Sequence, residues 1–281
     1  MREFETILYE EKENGIAILT FNRPEKLNAL SVKLMEEFHE ILNYLEWNFD
    51  IRVLIITGAG RAFCAGLDLK DFPALKRGKS EKFKHLQIFN MGDPIKTNFY
   101  AQKWIADAIM KMRRIPQVII AAVNGAATGG GFTITMAADV RIASEKARFN
   151  NAFIKIGVSG ADLGSSYFLP RLIGLSRAAE LLYTGRFFNA QEADRIGFVS
   201  RVVPAEKLMA TSNELAEEML TKSPLGLRLT KEAINQNIDA PSLESAIFLE
   251  NRNQVITAHT KDAPEGVISF FEKRKAKYKL R

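Results

Sequence analysis

The stretch Asn124-Gly125-Ala126-Ala127-Thr128-Gly129-Gly130-Gly131-Phe132 decides how this chain is read. It follows an apolar run, Val118 to Val123, with the character of a buried strand, and leads into an apolar helix candidate, Phe132 to Ala138. Three consecutive glycines at a strand-to-helix junction let the backbone turn tightly and let a ligand approach the main chain without meeting a Cβ. The first amides of a helix lack partners inside it and carry the positive end of its dipole. Such a junction suits negative charge on a substrate oxygen.

A second segment of the same character lies upstream. Val53-Leu54-Ile55-Ile56-Thr57-Gly58 runs through Ala59-Gly60-Arg61 into Phe63-Cys64-Ala65-Gly66-Leu67-Asp68-Leu69-Lys70. Here too a buried strand enters a turn of small residues. Two backbone donors from two separate turns can grip one oxygen, which is the geometry that stabilises an enolate or a tetrahedral oxyanion.

The pairing of these two segments resembles the crotonase superfamily, the enoyl-CoA hydratases and isomerases. Further matches are Phe21-Asn22-Arg23-Pro24-Glu25-Lys26-Leu27-Asn28-Ala29-Leu30, Leu182-Tyr183-Thr184-Gly185-Arg186, Ala190-Gln191-Glu192-Ala193, Gly197-Phe198-Val199 and Phe270-Phe271-Glu272-Lys273-Arg274. They fall in family order from near residue 7 to near residue 275. The resemblance implies an α/β fold: a spiral of ββα units over residues 1–200, then a helical region over 201–281 that builds a trimer or a dimer of trimers. It also implies an acyl-CoA enzyme, of the kind found in fatty acid metabolism, with the CoA thioester as substrate and no resident cofactor. Carried over residue by residue, the oxyanion donors are the backbone N–H groups of Leu67 and Gly130. CoA contacts come from Lys26, Asn28, Ala65, Leu67 and Leu69, largely through backbone groups. Lys70 and the basic C-terminal tail are candidates for the phosphates, and Phe270 or Phe271 for the adenine or for packing of the last helix.

The acid and base groups depart from the family pattern. Enoyl-CoA hydratases of this family hold a water between two glutamates. The corresponding positions here read Thr133 and Phe153, and neither accepts a proton as a carboxylate does. The two-glutamate hydration mechanism is therefore not carried over. Asp162, in Gly160-Ala161-Asp162-Leu163-Gly164-Ser165, is a carboxylate among small and apolar residues. Relatives such as dienoyl-CoA isomerases place a functional aspartate in this loop, with a shorter spacing from the preceding glycine. Two roles are open to Asp162: a desolvated acid/base with a raised pKa, or the cap of a helix beginning near Leu163.

Composition bounds the remainder. With 281 residues, 47% of them hydrophobic, the chain has ample material for a core. Its net charge of +6 fits an anionic ligand, or simply a soluble surface with a Lys/Arg-rich tail. No basic, aromatic-studded stripe suggests nucleic acid. The single cysteine, Cys64, excludes an intrachain disulfide and reads as a small hydrophobe. No apolar run reaches membrane-spanning length, and the polar, acidic Met1-Arg2-Glu3-Phe4-Glu5 lacks a signal-like apolar region. A cytoplasmic location is expected.

Along the chain, strands are expected at Ile16–Phe21, Val53–Thr57, Val118–Val123 and Val140–Ala143, all apolar on both faces and suited to a doubly covered sheet. A helix is expected from Ser31 to Trp47, with Leu34, Phe38, Ile41, Leu42 and Leu45 on one face and Lys33, Glu36, Glu37 and Glu40 on the other. Residues 71 to 101, with Pro73, Pro94 and the Lys/Arg cluster 76 to 84, read as a surface excursion or lid. Helices follow at about 101–113, 165–184, 190–196, 205–222, 226–237, 242–259 and 263–276. Asp68 is expected to fix its turn, and Asp139 to pair with Arg141 or Arg148. Asn150 and Asn151 suit strand-end hydrogen bonds or substrate contacts. His39, His85 and His259 lack metal-ligand spacing and read as surface residues.

Three competing readings are weighed. A non-catalytic acyl-CoA binder of the same fold would keep the oxyanion turns without their acids. A nucleotide-binding oxidoreductase would use Gly58-Ala59-Gly60, but Phe63 stands where its fingerprint wants Gly or Ala. A serine hydrolase would want Gly-x-Ser-x-Gly, which the sequence does not contain.

Overall fold

A hairpin of β1 (Ile7–Glu11) and β2 (Ile16–Phe21) opens the chain. After it come α1 (Val32–Trp47), β3 (Val53–Gly58), β4 (Ala62–Cys64) and α2 (Pro94–Arg114). The middle of the chain holds β5 (Val118–Val123), β6 (Ala126–Thr128), α3 (Gly130–Ala137), β7 (Val140–Ser144) and β8 (Arg148–Asn150). Next are α4 (Ser165–Ile173), α5 (Leu175–Thr184), β9 (Phe188–Asn189), α6 (Ala190–Arg195) and β10 (Arg201–Val203). Four helices close it: α7 (Leu208–Leu220), α8 (Pro224–Asn237), α9 (Leu243–Ala258) and α10 (Asp262–Phe271). The computed structural model describes residues 3–72, 85–89 and 91–279. The expected Lys/Arg cluster at 76–84 and Pro73 lie outside these.

Two sheets organise the α/β body. One has the order β1-β2-β3-β5-β7-β10 and the other β4-β6-β8-β9. Strands β2, β3, β5, β7 and β10 run parallel, as do β4, β6 and β8. Each of β3, β5 and β7 therefore passes directly into a short strand of the second sheet and then towards a helix, which is a ββα unit made three times. The alternation of side chains along a strand sorts the core. Leu54, Ile56, Ile119 and Ala121 enter the larger cluster, whereas Val53, Ile55, Ile120 and Ala122 pack with Leu208 and Ala216 of α7. Helix α7 thus covers the face that would otherwise meet water, and this is why the strands are apolar on both sides. Strand β10 and α7, beyond residue 200, belong to this packing. On the other side Phe132, Phe149, Phe188 and Phe198 meet ring to ring, with centroids 5.1–6.2 Å apart.

Helix α1 forms as expected, with the Ser31 side chain accepting from Leu34 N (3.1 Å) and Leu34, Phe38, Ile41, Leu42 and Leu45 buried. Two of its polar residues are buried as well. Glu37, expected on the water-facing side, accepts from the amides of Glu5 (2.8 Å) and Thr6 (2.9 Å) and from the Thr6 hydroxyl (2.6 Å). His39, expected at the surface, is buried against α2. Its ring stacks on Trp104 (centroids 5.1 Å, interplanar 24°). Its Nε2 lies 2.9 Å from the Trp104 carbonyl and its Nδ1 3.2 Å from Lys111 Nζ. A carbonyl only accepts and an ammonium only donates, so His39 is neutral with its proton on Nε2. Burial first, then Lys111, lowers its pKa from 6.5 to about 4.

Helix α2 starts earlier than the expected residue 101. Asp93 accepts from Ile95 N (2.8 Å) and Lys96 N (3.0 Å), and Pro94 occupies the first helical position, where its missing N–H costs nothing. The expected helix 165–184 divides at Gly174 (φ 83°) into α4 and α5. Lys231 is a buried anchor of helix α8. Lys231, 6% exposed, donates to the carbonyls of Met112 (3.1 Å) and Gln117 (2.7 Å) and pairs with Asp139 (3.0 Å). Asp139 also pairs with Arg113 (3.3 Å) and accepts from Ile119 N (2.8 Å). Of its expected partners, Arg141 feels the Asp139 charge but spends its hydrogen bonds on the carbonyls of Phe198, Ala138 and Thr135, and Arg148 stacks over the Phe187 ring. The reason is topological, because α8 and the end of α2 arrive beside Asp139 from distant parts of the chain.

Candidate active site

The two glycine-bearing turns lie against each other. Strands β4 and β6 pair in parallel, Ala62 opposite Ala126 and Cys64 opposite Ala127. Beyond them the Thr128 hydroxyl donates to Ala65 O (2.6 Å). Gly66 has φ 89°, and a Cβ there would stand 2.8 Å from Thr128 O and 3.3 Å from the Gly130 amide nitrogen. A side chain at Gly66 would therefore push the turns apart. Gly131 is constrained still more tightly, since a Cβ would come within 2.2 Å of Cys64 O. The Cys64 thiol, buried here, is pushed up to about 12 by desolvation, which keeps it protonated and inert.

The amides of Leu67 and Gly130 lie in these two turns, and those of Gly131 and Phe132 share the first turn of α3. Leu30 N donates to Gly66 O (2.8 Å) and Asp68 N donates to Leu30 O (3.0 Å), an isolated parallel bridge between Leu30 and Leu67. In such a bridge the N–H of the middle residue points away from the partner strand, so the Leu67 N–H faces away from Leu30. Gly130 opens α3, and its N–H has no intrahelical partner. Among the described residues neither amide donates to a protein acceptor.

The first loop braces the Leu67 turn. Arg23 pairs with Asp68 (3.0 Å) and donates to Ala29 O (2.6 Å), while Asp68 accepts from Lys70 N (3.2 Å). Asp68 fixes its turn, as its place in the motif suggested. Asn28, fully buried in a left-handed conformation (φ 57°), accepts from Arg23 N (2.9 Å) and donates to Ala59 O (2.9 Å) and Ala62 O (2.8 Å). Its side chain is thereby committed to the protein. Ala65 and Leu67 are half-buried, and Lys26, Leu69 and Lys70 are exposed.

Across the junction lies the loop of Asp162. Leu163 adopts a left-handed conformation (φ 49°), uncommon for a residue with a branched side chain. Its Cδ1 sits 3.6 Å from where a Gly130 Cβ would be. Asp162 is half-buried, and its Oδ1 accepts from Leu163 N (2.7 Å) and from Gln102 Nε2 of α2 (2.5 Å). Desolvation raises its pKa, and these two hydrogen bonds oppose the rise. The helix that follows begins at Ser165 with Gly164 as its N-cap and no side-chain cap. Instead, the Ser165 hydroxyl accepts from Asp162 N (3.1 Å) and donates to Gly160 O (3.1 Å), to which Asn151 also donates (2.6 Å). Asn150 donates to Gly185 O (3.0 Å), so both asparagines hold backbone. Gly160 and Ala161 help line a cavity of about 430 Å³, with Ile154, Ser159, Leu182 and Tyr183.

Thr133 is buried and donates from its hydroxyl to Gly130 O (2.7 Å). Phe153 places its ring edge 3.6 Å from the Cβ position of Gly129. The fold thus brings Leu67, Gly130, Thr133 and Phe153 to one junction, which the Asp162 loop adjoins through Leu163. Gln102, which sequence reasoning passed over, joins that loop from a helix 60 residues away. No local motif marks it.

Residues 11–281 match the family model described as Enoyl-CoA hydratase/isomerase. A protein of Mycobacterium leprae (strain TN), by name a probable enoyl-CoA hydratase, is 37% identical over 260 residues, covering 92% of this chain and 85% of its own length. The 1,2-epoxyphenylacetyl-CoA isomerase of Escherichia coli (strain K12) is 33% identical over 266 residues, covering 95% of each chain. Among solved structures, an enoyl-CoA hydratase from Bacillus anthracis superposes with a TM-score of 0.87 at 35% identity, over 99% of this chain and 100% of that one.

Proposed function

This chain belongs to the enoyl-CoA hydratase/isomerase family, and from that premise we propose that it is an isomerase acting on an unsaturated acyl-CoA. The thioester oxygen sits between the amides of Leu67 and Gly130, and Asp162 moves the proton. The observation that carries this reading is the contact of the two turns, with the Gly130 nitrogen 3.3 Å from the Cβ position of Gly66. When Asp162 takes a proton from the α- or γ-carbon, the C–H electron pair passes into the thioester and the oxygen gains charge. Donors aimed at that oxygen then bind the enolate more strongly than the ground state. One such donor is typically worth roughly 3 kcal/mol. Return of the same proton to the other carbon completes a shift of the double bond, with no net change in atoms or electrons.

Thr133 and Phe153 favour isomerisation over hydration in this reading. The Thr133 hydroxyl is committed to Gly130 O, and a phenyl ring at 153 cannot activate water. Backbone groups of Lys26, Asn28, Ala65, Leu67 and Leu69 hold the CoA moiety, with Lys70 and the basic tail at its phosphates and no resident cofactor. The C-terminal helices build a trimer or a pair of trimers. The same two residues also favour a second reading, an acyl-CoA binder without turnover.

Asp162→Asn distinguishes them. Its amide oxygen can still accept from Leu163 and Gln102, so the loop is preserved. Conversion of 3-hexenoyl-CoA to the 2-enoyl isomer is expected to fall by about a hundredfold or more, with acyl-CoA affinity by calorimetry unchanged. A variant as active as the parent removes Asp162 from the chemistry. A parent that binds the thioester tightly and turns over none of a broad enoyl-CoA panel establishes the binder.

A further inference from the structure

Asp162 uses its two oxygens unequally. Oδ1 accepts from both Leu163 N and Gln102 Nε2, and among the described residues Oδ2 accepts nothing. We propose that Gln102 is a positioning residue that, with the Leu163 amide, occupies Asp162 Oδ1 and so assigns proton exchange with the substrate to Oδ2. This rests on the reading of Asp162 as the proton-transfer group.

The chemistry of the donors supports it. A proton on Oδ1 would take one of the two lone pairs that accept these bonds and so cost at least one of them, whereas a proton on Oδ2 costs neither. The two donors come from different elements, Leu163 from the loop and Gln102 from α2, and converge on one oxygen. The identity of the residue matters too. Gln102 lies on an exposed stretch of helix next to Lys103, where a cation would be easily accommodated. A cation in hydrogen-bond contact would draw the carboxyl towards its ionised form and weaken it as a base. A neutral amide orients the group with much less of that effect. Among the described residues, the groups bonded to Asp162 are uncharged: Gln102 from α2, Leu163 from its own loop, and Ser165 from α4.

The test is a ¹³C carboxyl titration of the full-length protein, the Asp162 signal being assigned by its loss in Asp162→Asn. Gln102→Leu removes the donor and is expected to move the Asp162 midpoint up by about one pH unit. Gln102→Lys is expected to move it down by a similar amount. In Gln102→Leu, kcat for 3-hexenoyl-CoA is expected to fall about tenfold with KM little changed. Should Gln102→Leu lose cooperative unfolding, Gln102→Met takes its place. A midpoint that stays put in both variants, or moves the same way in both, overturns the positioning role, since loosened packing has no sign dependence. If Asp162→Asn is inactive while the midpoint is insensitive to Gln102, this inference alone fails. If Asp162→Asn is fully active, both readings fail.

Discussion

His39 shows what a single enclosed side chain does to the whole fold's response to acid. It is neutral, donates to Trp104 O and accepts from Lys111, with its pKa lowered from 6.5 to about 4. Protonation would set a second N–H against an ammonium, so the unfolded chain takes up the proton first. Its stabilising contribution is therefore complete above pH 6.5 and is lost as pH falls from 6.5 towards 4. The slope across that window is roughly 1.4 kcal/mol per pH unit at most. Urea midpoints at pH 7 and pH 5 check this: the parent is expected to weaken on acidification, and His39→Gln to weaken less between the same two values. An equal loss in both removes His39 as the titrating group. The sequence gives no hint of this environment. His39 and Glu37 sit at helical spacings that a polar face would also occupy, and only the arrival of α2 and of the Thr6 segment encloses them.

At the scale of elements, legibility followed length and burial. Strands β2 and β5 were readable to the residue because their apolar runs are covered on both faces. Strands β4, β6 and β8 are three residues each, too short for any periodicity, so the second sheet was visible only as an implication of family resemblance. Pro94 read as an interruption and proved to be a helix start, because Asp93 supplies the cap. Within the site, the glycine turns were plain from local sequence, whereas the Gln102 contact and the left-handed Leu163 depend on tertiary placement. The Lys231 anchor of α8 is of the same long-range kind. Lys231→Ala leaves Asp139 short of a partner and two carbonyls without their donor. A loss of about 3–5 kcal/mol is expected in equilibrium unfolding, with Lys231→Met recovering part of it through packing. A change below about 0.5 kcal/mol would mean the cluster contributes nothing net.

For the molecule as a whole, the C-terminal helices leave much apolar surface uncovered: Phe248 is 66% exposed, Phe270 79% and Phe271 77%. Exposed apolar side chains of this size suit contact with another protein surface, and the proposed self-association would cover them in a closed symmetric assembly. The proposed trimer accordingly predicts that Phe248→Asp combined with Phe270→Asp lowers the sedimenting mass to that of one chain. An unaltered mass places the interface elsewhere. Among the described residues no helix is long and apolar enough to cross a membrane, so these side chains do not belong to a spanning segment of that kind. The packing of α1 on α2 has one further consequence, an optical one. Of the two indoles in the chain, Trp47 faces solvent (77% exposed) and Trp104 lies flat on the His39 imidazole. The four-ring phenylalanine core is nearly dark by comparison. Tryptophan emission from this protein therefore has two sources, one that watches the seam between two helices and one, Trp47, that looks out on solvent.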